Sequence, residues 1–134
     1  MFSKAIVLSA VATVFSSASA QSVTCDAGTQ DASACYQFDT FFCPLVGSIQ
    51  FNPGSGAISF CIGSNGFKCD FTALNTGSSV LFPTAANCAA VINRIQSVCG
   101  GQGGRAIDSA SDPMEYSIMG NVGSCASGLA GLEK

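Results

Sequence analysis

The chain has 134 residues, with 8 acidic side chains against 5 basic ones, no histidine, no tryptophan and 8 cysteines. The acidic balance argues against nucleic acid and anionic membranes, which call for clustered Lys and Arg. The missing histidine excludes Ser-His-Asp and Cys-His catalysis.

Residues 1–20 are expected to be a secretory signal peptide. Lys4 supplies the positive start, Ala5 to Phe15 an apolar run too short to span a bilayer, and Ala18-Ser19-Ala20 a small-residue cleavage site. Residues 21–134 then form a single globular domain. An even cysteine count behind a signal peptide reads as a disulfide framework. Cys25, Cys35, Cys43, Cys61, Cys69, Cys88, Cys99 and Cys125 are therefore expected to pair, in a connectivity that spacing leaves open. No metal and no cofactor is expected, since no Cys-x-x-Cys pair occurs.

Asp31 to Cys43 can form a first helix, with Asp31 as N-cap and Pro44 as its end. Val46 to Phe51 and Ala57 to Ile62 read as strands around the turn residues Asn52-Pro-Gly-Ser-Gly56. Ser64-Asn65-Gly66 reads as a three-residue loop into a third strand, Phe67 to Ala73. That register sets Cys61 opposite Cys69. The two can bond each other or both point at a helix; the second is preferred, because a face with Cys61, Phe67, Cys69 and Phe71 needs a cover.

The clearest helix runs from Thr84, an N-cap, to Gly100-Gly101, a C-terminal stop. Cys88, Val91, Ile92, Ile95, Val98 and Cys99 form its apolar stripe. Cys88 and Cys99 lie about 16 Å apart at helical rise, so each must tie the helix to a different neighbour. Gly100 to Gly104 reads as a flexible connector, not a phosphate loop, since it follows a helix and no Lys-Ser/Thr ends it. Glu115 to Met119 and Val122 to Ala126 read as a last hairpin around Gly120-Asn121. The fold class is α+β: a small disulfide-rich domain whose antiparallel sheet, a meander plus a C-terminal hairpin, is covered by two helices.

Asp108, Asp112 and Glu115 form the only acidic cluster. They read as a solvated loop; a calcium loop of the Asp-x-Asp-x-Asp-Gly kind is absent. The ligand surface is placed by elimination. The Phe-rich strands and the helical stripe are needed for the core, and the N-terminal segment for stapling. What remains is a polar stretch with Arg105, Asp108, Asp112, Glu115, Tyr116 and Asn121, on loops where binding residues tend to gather. There Tyr116 would supply an apolar face for a sugar ring and the carboxylates and amide its hydroxyl partners. Tyr36 and Asp39 are the fallback position.

The spacing of Cys25-Asp-Ala-Gly28, Cys35-Tyr-Gln-Phe-Asp-Thr-Phe-Phe-Cys43-Pro44, Phe60-Cys61, Lys68-Cys69-Asp-Phe71, Pro83-Thr-Ala-Ala-Asn-Cys88, Val98-Cys99-Gly-Gly-Gln-Gly-Gly104, Tyr116-Ser-Ile118 and Gly123-Ser-Cys125 resembles one known family. It is the Y-three-like family of small secreted mushroom glycan-binding proteins. The resemblance implies a compact α+β lectin with four disulfides. It would be extracellular and non-enzymatic, acting on other cells through cell-surface glycoprotein glycans that contain N-acetylhexosamine and fucose. Neither nucleic acid nor stable membrane insertion is expected. Fungal hydrophobins also carry eight cysteines, but their Cys-Cys doublets have no counterpart here. A shorter likeness, in Asn87-Cys88, Cys99-Gly100 and Gly123-Ser-Cys125, is to smut killer toxins and necrosis-inducing effectors. It implies the alternative of a toxin acting on a membrane or channel.

Overall fold

The computed structural model describes residues 22–26, 31–54, 57–64, 66–109 and 111–125. Residues 1–20, expected to be a signal peptide, and Ala126, the end of the last expected strand, lie outside them. The elements are β1 (Val23–Cys25), a 3-10 turn (Tyr36–Phe38), α1 (Asp39–Val46), β2 (Ala57–Ser64), β3 (Phe67–Asn75), α2 (Ala85–Cys99), β4 (Gly104–Ile107) and β5 (Met114–Val122). All strand pairs are antiparallel, in a five-stranded sheet of order β1-β4-β5-β3-β2. The helices lie against one face, and the fold is α+β as expected.

The helix α2 forms as its sequence dictates. The Thr84 hydroxyl accepts from the Asn87 amide at 3.1 Å, and Gly100 ends the helix at φ 62°. Cys88, Val91, Ile92 and Ile95 are buried. Val98 is not; it is 49% exposed. At ~100° per residue it falls about 70° from the centre of the stripe, on the flank. Ile95→Ala should cost about 2–5 kcal/mol on thermal or denaturant unfolding. Gln96→Ala, at an exposed position, should stay within about 0.5 kcal/mol; equal losses would mean the helix is turned otherwise.

All eight cysteines are paired: Cys25–Cys99, Cys35–Cys69, Cys43–Cys88 and Cys61–Cys125. The helix α2 is indeed tied at its two ends to different neighbours, α1 through Cys88 and β1 through Cys99. Between helices and sheet lies one core that holds Phe42, Phe51, Phe71, Ile92, Tyr116 and Ile118. The Phe42 and Phe71 rings meet at 5.1 Å between centroids.

Several expectations give way. Asp31 accepts from the Ser33 amide at 2.8 Å and so caps a turn, while the helix starts later, at Asp39. Pro44 sits inside α1 instead of ending it. Burial of Phe42, Cys43 and Val46, with the bond from Cys43 to Cys88, overrides the proline's missing amide. Val46 to Phe51 is therefore no strand; the Gly47, Ser48 and Ile49 amides bond back to Cys43, Leu45 and Val46, and Phe51 makes only an isolated bridge to Leu81.

The β2–β3 turn has two residues, because Ser64 pairs with Phe67. Cys61 then pairs with Asp70 and Ile62 with Cys69. A slip of one residue sends every side chain to the other face. Cys69 points to the helical side and bonds Cys35, while Cys61 lies on the opposite face and bonds Cys125.

The stretch at Gly120-Asn121 is not a turn, for β5 runs straight through it. A Cβ on Gly120 would come within 3.0 Å of both the Asp31 carbonyl oxygen and the Phe67 ring. The glycine is there for close approach. Likewise Gly103 and Gly104 do not end a loose connector. A Cβ on Gly103 would fall on the Ile118 carbonyl oxygen, and one on Gly104 would meet the Thr24 carbonyl oxygen at 2.7 Å. These glycines let β4 enter the sheet and form the hairpin with β5.

Candidate functional site

Successive residues of a strand point to opposite faces. On β5, Met114, Tyr116, Ile118 and Gly120 are buried, while Glu115, Ser117, Met119 and Asn121 alternate with them half-exposed. The same phase holds on β3, where Cys69, Phe71, Ala73 and Asn75 are buried. One face of the sheet is thus core, and the other carries no helix among the described residues.

The open face is polar. Register sets Thr24, Arg105, Ser117, Thr72 and Ser59 abreast on the five strands. Directly paired residues share a face, so four hydroxyls and one guanidinium form a single row. Ile107, Glu115 and Leu74 lie abreast on one side of it. On the other side lie Asp70, paired with Met119, and then Lys68, paired with Asn121. The Lys68 ammonium sits 2.9 Å from the Asp70 carboxylate, which also accepts from Asn121 Nδ2 at 2.6 Å. Asp70 is thereby held in place from two sides.

Alternation divides the six expected ligand residues. Arg105, Glu115 and Asn121 stand on the open face. Tyr116 does not: its ring is 0% exposed, inside the core, and offers no face to a sugar. Asp108 is buried and Asp112 half-buried, in the loop between β4 and β5. The Asn87 side-chain amide, in the first turn of α2, donates to the Asp108 carboxylate. Burial, and then the Asp112 charge, hold Asp108 above the usual carboxylate range against that bond. Burial first, and then the two aspartates, push the Tyr116 phenol up as well. The fallback residue Tyr36 is also buried, and its hydroxyl donates to the Gln102 carbonyl at 2.8 Å.

Sequence reasoning passed over Lys68, Asp70, Thr72 and Ser117. The signal was present as alternation: Lys68, Asp70 and Thr72 separate Phe67, Cys69, Phe71 and Ala73 at period two. Reading Lys68-Cys69-Asp70 as a flank of a cysteine hid it.

At the hairpin end, Gly63 belongs both to the row with Lys68 and to a cleft of about 220 Å³. Gln37, Phe38, Ile62 and Phe67 also line that cleft. Half-buried Phe38 and Phe67 give it aromatic walls. No helix among the described residues is long and apolar enough to cross a membrane.

Together these features define a small disulfide-stapled α+β domain in which the described residues leave a polar sheet face open, with an aromatic cleft at its end. The chain belongs to the glycan binding domain Y3 family, whose profile matches residues 34–125. It is also similar to the antiviral protein CAP of Coprinus comatus, at 29% identity over 99 residues, 72% of this chain and 96% of that protein.

Proposed function

We propose that the protein is a secreted, non-enzymatic lectin that binds glycans of cell-surface glycoproteins through its open sheet face, in a defensive role. Family membership supports glycan binding, and the similarity to an antiviral protein supports defence. The observation that carries the location is the row Thr24, Arg105, Ser117, Thr72 and Ser59, flanked by Glu115 on one side and by Asp70 and Asn121 on the other. Sugar hydroxyls both donate and accept. A rigid sheet that offers carboxylates, an amide, a guanidinium and hydroxyls at strand spacing matches them without reordering its backbone. Four disulfides fit an oxidising, extracellular setting.

A glycan array with the chain from Gln21 onward tests the reading. Clear hits are expected, and Arg105→Ala and Glu115→Ala should each weaken binding at least about tenfold, or ~1.4 kcal/mol. Melting temperatures should hardly change, since both side chains reach solvent. Strong hits with both variants binding like wild type would move the site off this face. An empty array together with growth arrest of sensitive cells would favour a toxin.

A further inference from the structure

Two buried side-chain oxygens of the described residues have no hydrogen-bond partner, Asp112 Oδ1 and Tyr116 Oη. Tyr116 pairs with Ala106, Asp108 N bonds Met114 O two residues further along the same hairpin, and the phenol lies in the field of both Asp108 and Asp112. A buried oxygen without a partner costs about 1–3 kcal/mol, more if charged, so two in one place are unusual. The three basic side chains of the described residues are elsewhere. Lys68 is held by Asp70, Arg105 stands on the open face, and Arg94 is exposed two turns along α2 from Asn87. The start of α2 supplies at most about half a positive charge, against two carboxylates.

Hydrogen bonds tie together the described residues of the loop that carries them. Asp108 N donates to Met114 O at 2.9 Å, and Met114 N to Asp112 O at 2.8 Å. Asp112 N donates to Ser109 Oγ at 3.0 Å. Thr76 clamps the loop from outside, its amide and hydroxyl both donating to the Pro113 carbonyl. These bonds hold the main chain of both aspartates in place.

We propose that Asp108 and Asp112 hold a calcium ion, with the Tyr116 hydroxyl turned to it. Hard oxygen donors, carboxylates above all, are the ligands calcium takes, and water and main-chain oxygens complete its shell of six to eight. Glu115 has no part in it, because alternation sends its side chain to the other face. The site therefore differs from the acidic trio that the sequence groups together. The proposal does not rest on glycan binding.

Thermal unfolding of the EDTA-treated protein in rising calcium chloride tests it, with magnesium chloride as control. The melting temperature should rise and saturate between about 10⁻⁴ and 10⁻³ M calcium, the range of extracellular modules. At ten times the dissociation constant the gain should be roughly 4 °C or more. Asp112→Asn should abolish the response and Glu115→Gln should keep it. Terbium gives a readout that needs no variant to fold: excitation of tyrosine should produce terbium emission that calcium displaces. Tyr116→Phe should remove that emission although Tyr36 is kept. Unfolding that is the same in calcium and EDTA, terbium without sensitised emission, or a full calcium response in Asp112→Asn would each overturn the site.

Discussion

Replacing Cys43 and Cys88 together by alanine is expected to lower the unfolding free energy by about 3.5 kcal/mol. The bond spans 45 residues of chain and joins α1 to α2. It does not close all of that loop alone, since Cys35–Cys69 already crosses it. The path from Cys43 back to Cys35, across, and on to Cys88 is about 27 residues, and that length enters the chain-entropy estimate. For a domain near a hundred residues, the melting temperature should fall by roughly 14–28 °C. Both cysteines are at most 2% exposed, so lost packing adds to the loss. A fall of less than about 5 °C would mean that α1 is held by its apolar contacts alone, and that Pro44 needs no pin beside it.

Tyr116→Ala is the second large effect, at about 3–5 kcal/mol, the range for emptying a buried aromatic site. The ring lies between α2 and the middle of the sheet, where Ala73 and Ala106 flank it across the strands. Tyr116→Phe keeps the ring and removes only the hydroxyl. In calcium-free buffer that hydroxyl has no partner, so the phenylalanine variant should be within about 1 kcal/mol of wild type or more stable. Equal losses in the two variants would reveal a hydrogen bond to the phenol. No loss in the alanine variant would place the ring outside the core.

The sequence made the helix α2 legible because its signals are local. Thr84, the buried residues from Cys88 to Ile95 and Gly100 lie within one stretch, and each acts on its neighbours. Gly120 carried the opposite lesson. Next to Asn121 it has the chemistry of a turn, yet its missing side chain makes room for Asp31 and Ala32, about ninety residues away in the chain. Nothing near Gly120 announces them. The three residues of β1 are too few to show a period.

Hairpin register was lost by one residue at Asn65-Gly66, and that residue decided which face received Cys61. The candidate site divided for the same reason. Arg105, Glu115 and Asn121 could be grouped with Asp108, Asp112 and Tyr116 while they stood on an assumed loop. Once β5 is a continuous strand, Glu115 and Tyr116 must part, whatever their chemistry. Polarity alone grouped these residues, and strand phase decided which of them meet solvent.

The four disulfides interlock in a way that bears on how the protein can be destroyed. Cys25–Cys99 spans every peptide bond between its ends, and Cys61–Cys125 spans those from Cys99 to Cys125. A single proteolytic cut anywhere from Cys25 to Cys125 therefore releases no fragment. The nicked chain stays one covalent body, heavier by one water, with its severed ends still held beside their partners. Digestion of this domain must wait for a second cut or for a reductant, so its persistence in a protease-rich surrounding is governed by thiol chemistry as much as by cleavage.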